Sequence, residues 1–413
     1  MDERATAPVE AAPRVAAPRL DEALHRRFPT FADLRRHARR RLPRFGFEYL
    51  DGGAGTDGGI ARNAAALDAI ELVPRYGVEA GRVPIEVELF GRRYAAPIGV
   101  APMGGTGVVW PGAEFHLAGA CQRAGVPYVA STVAGATIER IAEIAPDVVW
   151  FQLYRLAKND HAIGFDLVRR AEAAGAHVLV LTLDVPARTT RPREVRNRLV
   201  IPFRPDLRTL YEAAKSPGWV RALMRHGIPR FANLASYAGK KPTTADVMLF
   251  ARNEMGGGFT WEEVARFRDR WRGPLVVKGI LHPQDARKAV ALGADGVQVS
   301  NHGGRQIEAA PAAIDVLPAI VAAVGGRATV LMDSGIRSGL DVVRALALGA
   351  AGTFAGKAFL YALGALGADG PPYAIALLME DIQAAARQLG ARALADLRSV
   401  AARHPGAFRF PEE

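Results

Sequence analysis

Eight short β-rich runs recur along the chain, and a stretch with helical spacing follows each of them. They are APIGVAP from residue 96, VPYVAST from 126, VVWFQLY from 148, HVLVLTLD from 177, GPLVVKG from 273, GVQVSN from 296, TVLMDSG from 329 and GTFAGK from 352. Helical patterns such as HPQDARKAVALG and RSGLDVVRALALG lie between them, each closing on the glycine that ends a helix before the next strand. Eight strands alternating with helices predict an α/β fold, a closed TIM-type (β/α)8 barrel. An open doubly wound sheet is the alternative, but no G-x-G-x-x-G follows the first strand as a dinucleotide fold requires.

The polar residues are distributed as a barrel needs them. Nearly every run is apolar until its end and then turns polar, at Ser131, Gln152 with Tyr154, Thr182 with Asp184, Lys278, Ser300 with His302, and Asp333. In a barrel these C-terminal strand ends converge on the face where an active site is built. Taken singly, Ser131 or Thr182 reads as a strand-end or capping residue, Lys278 as a surface lysine and Asp184 as a turn residue. Their joint placement is poorly explained by a scattered surface. LMDSGIRSG and FAGKAF put glycines and the bases Arg337 and Lys357 after the last two strands, where such barrels commonly hold a phosphate. No His/Cys/Asp/Glu cluster has metal-ligand spacing, so no metal is expected and the chemistry points to an organic cofactor.

The 413 residues are 49% hydrophobic and 23% charged, a soluble globular composition. The formal charge of +11 favours anionic ligands or surfaces. No run of five like charges concentrates it, which argues against a nucleic-acid partner. The single cysteine, Cys121, excludes an intrachain disulfide and suits a reducing compartment. No long uncharged apolar stretch and no basic-then-apolar leader occur, so a cytoplasmic protein is expected. Residues 1–20, rich in Ala and Pro, read as a disordered leader. One domain is expected over 21–405, with a tail at 406–413.

SNHGGRQ, DSGIRSG, WFQLY, LTLDVP and LVVKG, in this order and spacing, resemble the FMN-dependent α-hydroxy acid oxidase and dehydrogenase family. The resemblance runs from about residue 31 to about 405 and is strongest to the mandelate and lactate dehydrogenases. It implies a barrel enzyme, usually a homotetramer, that oxidises a 2-hydroxy acid to a 2-oxo acid. It makes His302 the base that takes the substrate hydroxyl proton while the α-hydrogen passes to flavin N5, with Asp184 pairing with the imidazolium. Arg305 and Arg191 would clamp the substrate carboxylate, and Tyr49 and Tyr154 would hydrogen-bond the substrate. The flavin would lie on Met103 and Gly104 and contact Ser131, Gln152 and Thr182, with Lys278 near N1 and O2 and Ser300 beside it. Asp333, Gly335, Arg337, Gly356 and Lys357 would hold the ribityl and phosphate.

Several positions depart from the family pattern. Met103 replaces a threonine. Thr189 and Pro192 alter the motif around Arg191, so that Arg193 is the alternative clamp. GKA stands for GRP, which keeps a cation but loses the arginine fork. Val133 stands where glycolate oxidase has tryptophan, which suits a larger substrate side chain. Gly104 in place of alanine resembles members that react slowly with oxygen, so a quinone or other carrier is favoured over O2 as acceptor.

Residues 185–272 exceed an ordinary βα loop. The insertion, about 200–255, is either a lid, the simpler reading, or a peripheral contact with the inner face of a membrane. Residues 203–250 carry eight Lys or Arg against three Asp or Glu, with Trp219, Val220, Leu223 and Met224 at helical spacing. A flavin-dependent isomerase and a catalytically silent anion- or membrane-binding relative are the competing functions, and the His302, Arg305 and Asp184 set argues against both.

Overall fold

The computed structural model describes residues 18–79, 81–187, 189–199 and 206–411. Most of the expected leader, residues 200–205 of the insertion and the end of the tail lie outside the described residues. Eight parallel strands close into a barrel, each in one of the eight expected runs: β1 (Ile98–Val100), β2 (Tyr128–Ser131), β3 (Val149–Leu153), β4 (Leu179–Thr182), β5 (Leu275–Ile280), β6 (Gly296–Val299), β7 (Thr329–Met332) and β8 (Gly352–Ala355). Each strand pairs with its sequence neighbours, and β8 closes onto β1. Almost every strand residue is buried, because helices cover the outside while side chains fill the inside. That is why the runs read as continuous apolar stretches rather than as alternating ones.

The bottom of the barrel is shut by a hairpin, Val87–Leu89 paired with Arg92–Tyr94. Its turn residue Phe90 meets the indole of Trp150 edge-on at 5.6 Å, and Trp150 donates Nε1–H to Tyr94 Oη at 2.9 Å. With the bottom sealed, ligands enter at the C-terminal ends. Registers place the terminal polar residues side by side there, Ser131 against Gln152 and Thr182 against Lys278.

An N-terminal arm flanks that open end. Helix Phe31–Arg41 starts on a Thr30/Asp33 capping box and buries Phe31, Leu34 and Ala38. Its apolar stripe packs on helix Lys357–Leu366, which follows β8. The next helix, Arg44–Asp51, ends at Gly52 beside the barrel mouth.

The insertion is hydrogen-bonded onto the barrel top. Pro229 stands where a Cβ on Gly107 would be, Trp219 Nε1–H donates to Val108 O at 3.2 Å, and Ala232 N–H donates to Ala134 O at 2.9 Å. Asn233, fully buried, accepts from Ile138 N–H at 2.8 Å and donates to the carbonyls of Ser131 and Thr132 at 3.2 and 3.3 Å. Replacing Asn233 with Leu leaves those groups unpaired, at a cost of about 1–3 kcal/mol. The expected result is a lower denaturation midpoint with faster proteolytic cleavage within 206–258 and unchanged far-UV circular dichroism. An unchanged midpoint and digestion pattern would contradict this anchoring.

Candidate active site

The strand ends converge on one buried ammonium. Lys278, 4% exposed, stands at the end of β5 and donates to Ser300 Oγ at 2.8 Å. It lies 3.3 Å from both Asp184 Oδ2 and Asp333 Oδ2. Burial alone would lower its pKa, but the two carboxylates outweigh burial and raise it above the usual lysine range. Burial would likewise raise the Asp184 carboxyl, and the facing His302 and Lys278 hold it well below the ordinary carboxylate range. Gly279, at φ +98°, is needed here, because a Cβ on it would meet Asp184 Cβ at 2.5 Å.

The other oxygen of Asp184 lies 2.8 Å from His302 Nδ1. A carboxylate only accepts, so Nδ1 carries a proton, and it is the Nε2 lone pair that is available in the neutral imidazole. His302 sits at φ +57°, a conformation few side chains adopt, held by its N–H to Ser300 Oγ at 3.0 Å. Ser334 Oγ accepts the neighbouring N–H groups of Asn301 and Gly303 and donates to Asp333 Oδ1 at 2.8 Å. Tyr154 lies with its ring 6.4 Å from that of His302, and burial together with Asp184 pushes its hydroxyl up to about 12.

Two guanidiniums line the same cavity as the histidine. Arg305 donates to the carbonyls of Tyr49 and Gly52 at 2.9 and 2.8 Å, and its plane lies over the Tyr49 ring. Arg191 donates Nε–H to Arg305 O at 3.1 Å. Both reach the same oxygen of Glu194, at 2.8 Å from Arg305 and 3.3 Å from Arg191. Arg193 instead pairs with Asp51 and Asp57, at 2.9 and 2.5 Å, and does not line the cavity, so Arg191 is the base that faces it. Tyr49 Oη–H donates to Gly104 O at 2.8 Å.

These groups line one cavity of about 1310 Å³. Met103, Gly104, Thr182, Lys278, Asp333, Gly335, Arg337, Gly356 and Lys357 line it as well, while Ser131, Gln152 and Ser300 are buried immediately behind. The residues fit a flavin mononucleotide. Gln152 Nε2 and Thr182 Oγ1 are buried without a hydrogen-bond partner among the described residues, two groups that a heteroaromatic ring edge would satisfy. Gly335, at φ +98°, packs directly against Asn63 and Leu67, so that backbone borders the cavity without a side chain in the way. Lys357 donates to Leu50 O and Gly52 O, at 2.5 and 2.9 Å, which leaves one of its three N–H groups. The Arg337 guanidinium makes no side-chain hydrogen bond among the described residues and borders the same cavity.

Four contributors escaped the sequence reading: Asp51, Glu194, Gln298 and Ser334. Gln298 donates to Asp333 Oδ2 at 2.8 Å from inside β6, and a lone amide within the apolar GVQV was its available signal. Glu194 and Asp51 carried none, since their partners come from distant segments.

The FMN-dependent dehydrogenase family model matches residues 38–404. An L-lactate dehydrogenase of Caulobacter vibrioides is 41% identical over 369 residues, covering 89% of this chain and 96% of that protein. An L-lactate dehydrogenase of Pectobacterium atrosepticum is 39% identical over 368 residues, 89% of this chain and 95% of that one. The structure of a monotopic membrane protein, (S)-mandelate dehydrogenase, superposes with a TM-score of 0.84 at 35% identity, over 89% of this chain and 97% of that chain. A mandelate oxidase with (S)-4-hydroxymandelic acid gives 0.79 at 36% identity, over 91% and 99%.

Replacing Lys278 with Met would leave two buried carboxylates without their counter-charge, which costs about 3–5 kcal/mol. Because the Asp184 pKa is depressed on folding, its stabilisation is complete above the unfolded value near pH ~4 and is lost as pH falls below it. Urea denaturation from pH 7 to pH 3 should therefore show a steeper acid-side loss in the parent than in Lys278→Met. Parallel curves would contradict the pairing.

Proposed function

Because the chain belongs to the FMN-dependent dehydrogenase family, we propose that it oxidises a 2-hydroxy acid with a sizeable apolar side chain, using His302 as base and a lipid-soluble quinone or similar carrier as acceptor. It is an FMN-dependent oxidoreductase, and its relatives are named for lactate and mandelate. The observation that carries the reading is the His302–Asp184 pair at 2.8 Å, in a cavity that Arg305 and Arg191 also line.

In this reading the two guanidiniums take the substrate carboxylate, which fixes the 2-hydroxyl towards Nε2. Burial and the neighbouring Arg191 already disfavour the charge on Arg305, so an arriving anion is welcome. As Nε2 takes the hydroxyl proton, Asp184 steadies the imidazolium. Gln152, Thr182, Lys278 and Arg337 would hold FMN, which supplies the two-electron acceptor when bound. Lys278 keeps positive charge where a reduced cofactor needs it. The isomerase alternative has no use for a carboxylate clamp next to a general base.

Two features refine the substrate and the acceptor. Beyond the His302 cluster Val108, Val133, Leu223, Ile228, Met248 and Met255 line the cavity, with Arg155, Arg230 and Arg252 also at its wall. These apolar walls suit an aryl or medium-chain alkyl group. Leu210 and Ile228 line the same cavity yet are 58% and 70% exposed. Leu207, Tyr211 and Met224 are exposed nearby among Arg208, Lys215, Arg221 and Arg225. An apolar lip ringed by bases suits peripheral contact with an anionic membrane. Among the described residues no helix is long and apolar enough to cross one.

Single-turnover flavin reduction under anaerobic conditions tests the chemistry. His302→Gln should slow bleaching by about 10²- to 10⁴-fold, Asp184→Asn should lose part of that, and Arg305→Lys should also raise KM. A His302→Gln enzyme within a few-fold of the parent rate would sink the assignment. Mandelate and 2-hydroxyoctanoate should exceed lactate in kcat/KM, and the reduced enzyme should reoxidise faster with a quinone than in air; the reverse order in either comparison would refute that refinement. Co-sedimentation with anionic vesicles should be lost in Leu207→Asp/Met224→Asp. Equal binding by that variant would remove the membrane proposal.

A further inference from the structure

The last turn of helix Arg44–Asp51 collects contacts from every side of the site. Asp51 is 5% exposed, and its carboxylate accepts four hydrogen bonds: Arg35 Nε at 2.6 Å, Arg35 Nη2 at 2.9 Å, Arg193 Nη1 at 2.9 Å and Tyr361 Oη at 2.7 Å. Those donors fill its lone pairs. They come from three distant segments: the N-terminal arm, the turn bearing Arg191 and Glu194, and the helix after β8. The backbone around Asp51 is engaged too. Lys357 Nζ donates to Leu50 O and Gly52 O, while Arg305 donates to Tyr49 O and Gly52 O.

We infer that Asp51 is a positioning residue that sets the substrate-carboxylate clamp and the phosphate-side helix in one step. Through Arg193 it fixes the short helix Pro192–Arg196, whose first turn presents Arg191 and Glu194 to Arg305. Through Tyr361, one turn beyond Lys357, it fixes helix Lys357–Leu366, whose start borders the cavity at Gly356 and Lys357. Its charge matters as well as its shape. Arg35, Arg193, Arg305 and Lys357 all converge on this one helix end, and burial with Arg305 nearby depresses the Lys357 ammonium while Asp51 draws it back up. A neutral amide would turn an N–H group towards at least one of these donors and remove that counter-charge.

The inference rests on the reading of Arg191 and Arg305 as the carboxylate clamp, and the test keeps the two apart. In the full-length holoenzyme, Asp51→Asn should raise substrate KM by on the order of 10- to 100-fold and weaken FMN binding by a comparable factor. The rate of flavin reduction at saturating substrate should stay within a few-fold of the parent. FMN affinity is read without turnover, by fluorescence titration of the apoprotein. Arg193→Met should raise KM alone, and Tyr361→Phe should weaken FMN alone, so the two arms separate even where Asp51→Asn folds poorly. A lowered melting temperature with KM and FMN affinity unchanged would reduce Asp51 to a structural ion pair and overturn the inference. Equal effects of Arg193→Met and Tyr361→Phe on both quantities would overturn the two-arm coupling. If no 2-hydroxy acid bleaches the parent flavin, the functional reading has failed, whatever the variants do.

Discussion

An ammonium group at the centre of the barrel mouth, held between two carboxylates, organises what surrounds it. Lys278 enters from β5, Asp184 from the end of β4 and Asp333 from the end of β7, so the three tie together strands on different sides of the rim. None could be buried alone. Each charge is tolerable because its partners are also withdrawn from water, and removing one leaves the others stranded. The remaining oxygen of Asp184 then fixes the tautomer and tilt of His302, while Asp333 is steadied by Gln298 and Ser334. The left-handed backbone at His302 persists because these contacts over-determine it.

The barrel was legible in the sequence for a physical reason. Strands buried on both faces have continuous apolar runs, and most crossover helices end on or next to a glycine, so the eight-fold alternation survives in one dimension. The polar residues at the strand ends were legible because their position within each run announced them. His302, Asp184 and Lys278 meet in space. The supporting shell was not legible. Glu194 pairs with an arginine more than one hundred positions away, and Asp51 gathers partners from residues 35, 193 and 361. No local period encodes such pairings. The choice between Arg191 and Arg193 also needed three dimensions, because both flank the same proline and only their partners tell them apart. Lys357 looked like a free phosphate ligand in the motif, yet its ammonium is shared with two helix-end carbonyls.

The insertion between β4 and β5 has two faces with different tasks. Its inner side docks through Asn233 and through backbone groups of the loops after β1 and β2. Its outer side leaves Leu207, Met224 and Ile228 in solvent among basic residues. Leu223, Met248 and Met255 of the insertion contribute walls to the cavity, together with Arg230 and Arg252, while His302, Asp184 and Lys278 belong to the strand ends of the barrel.

That division has a consequence for how such an enzyme diversifies. Trp219, Ala232 and Asn233 anchor the insertion to main-chain carbonyls and N–H groups of the barrel, which side-chain replacement there leaves in place. A segment of different length or composition can therefore be grafted onto the same rim without disturbing the His302–Asp184 pair beneath it. In the proposed function, the choice of fuel and electron outlet can thus drift independently of the chemistry, as interchangeable fittings on a fixed engine.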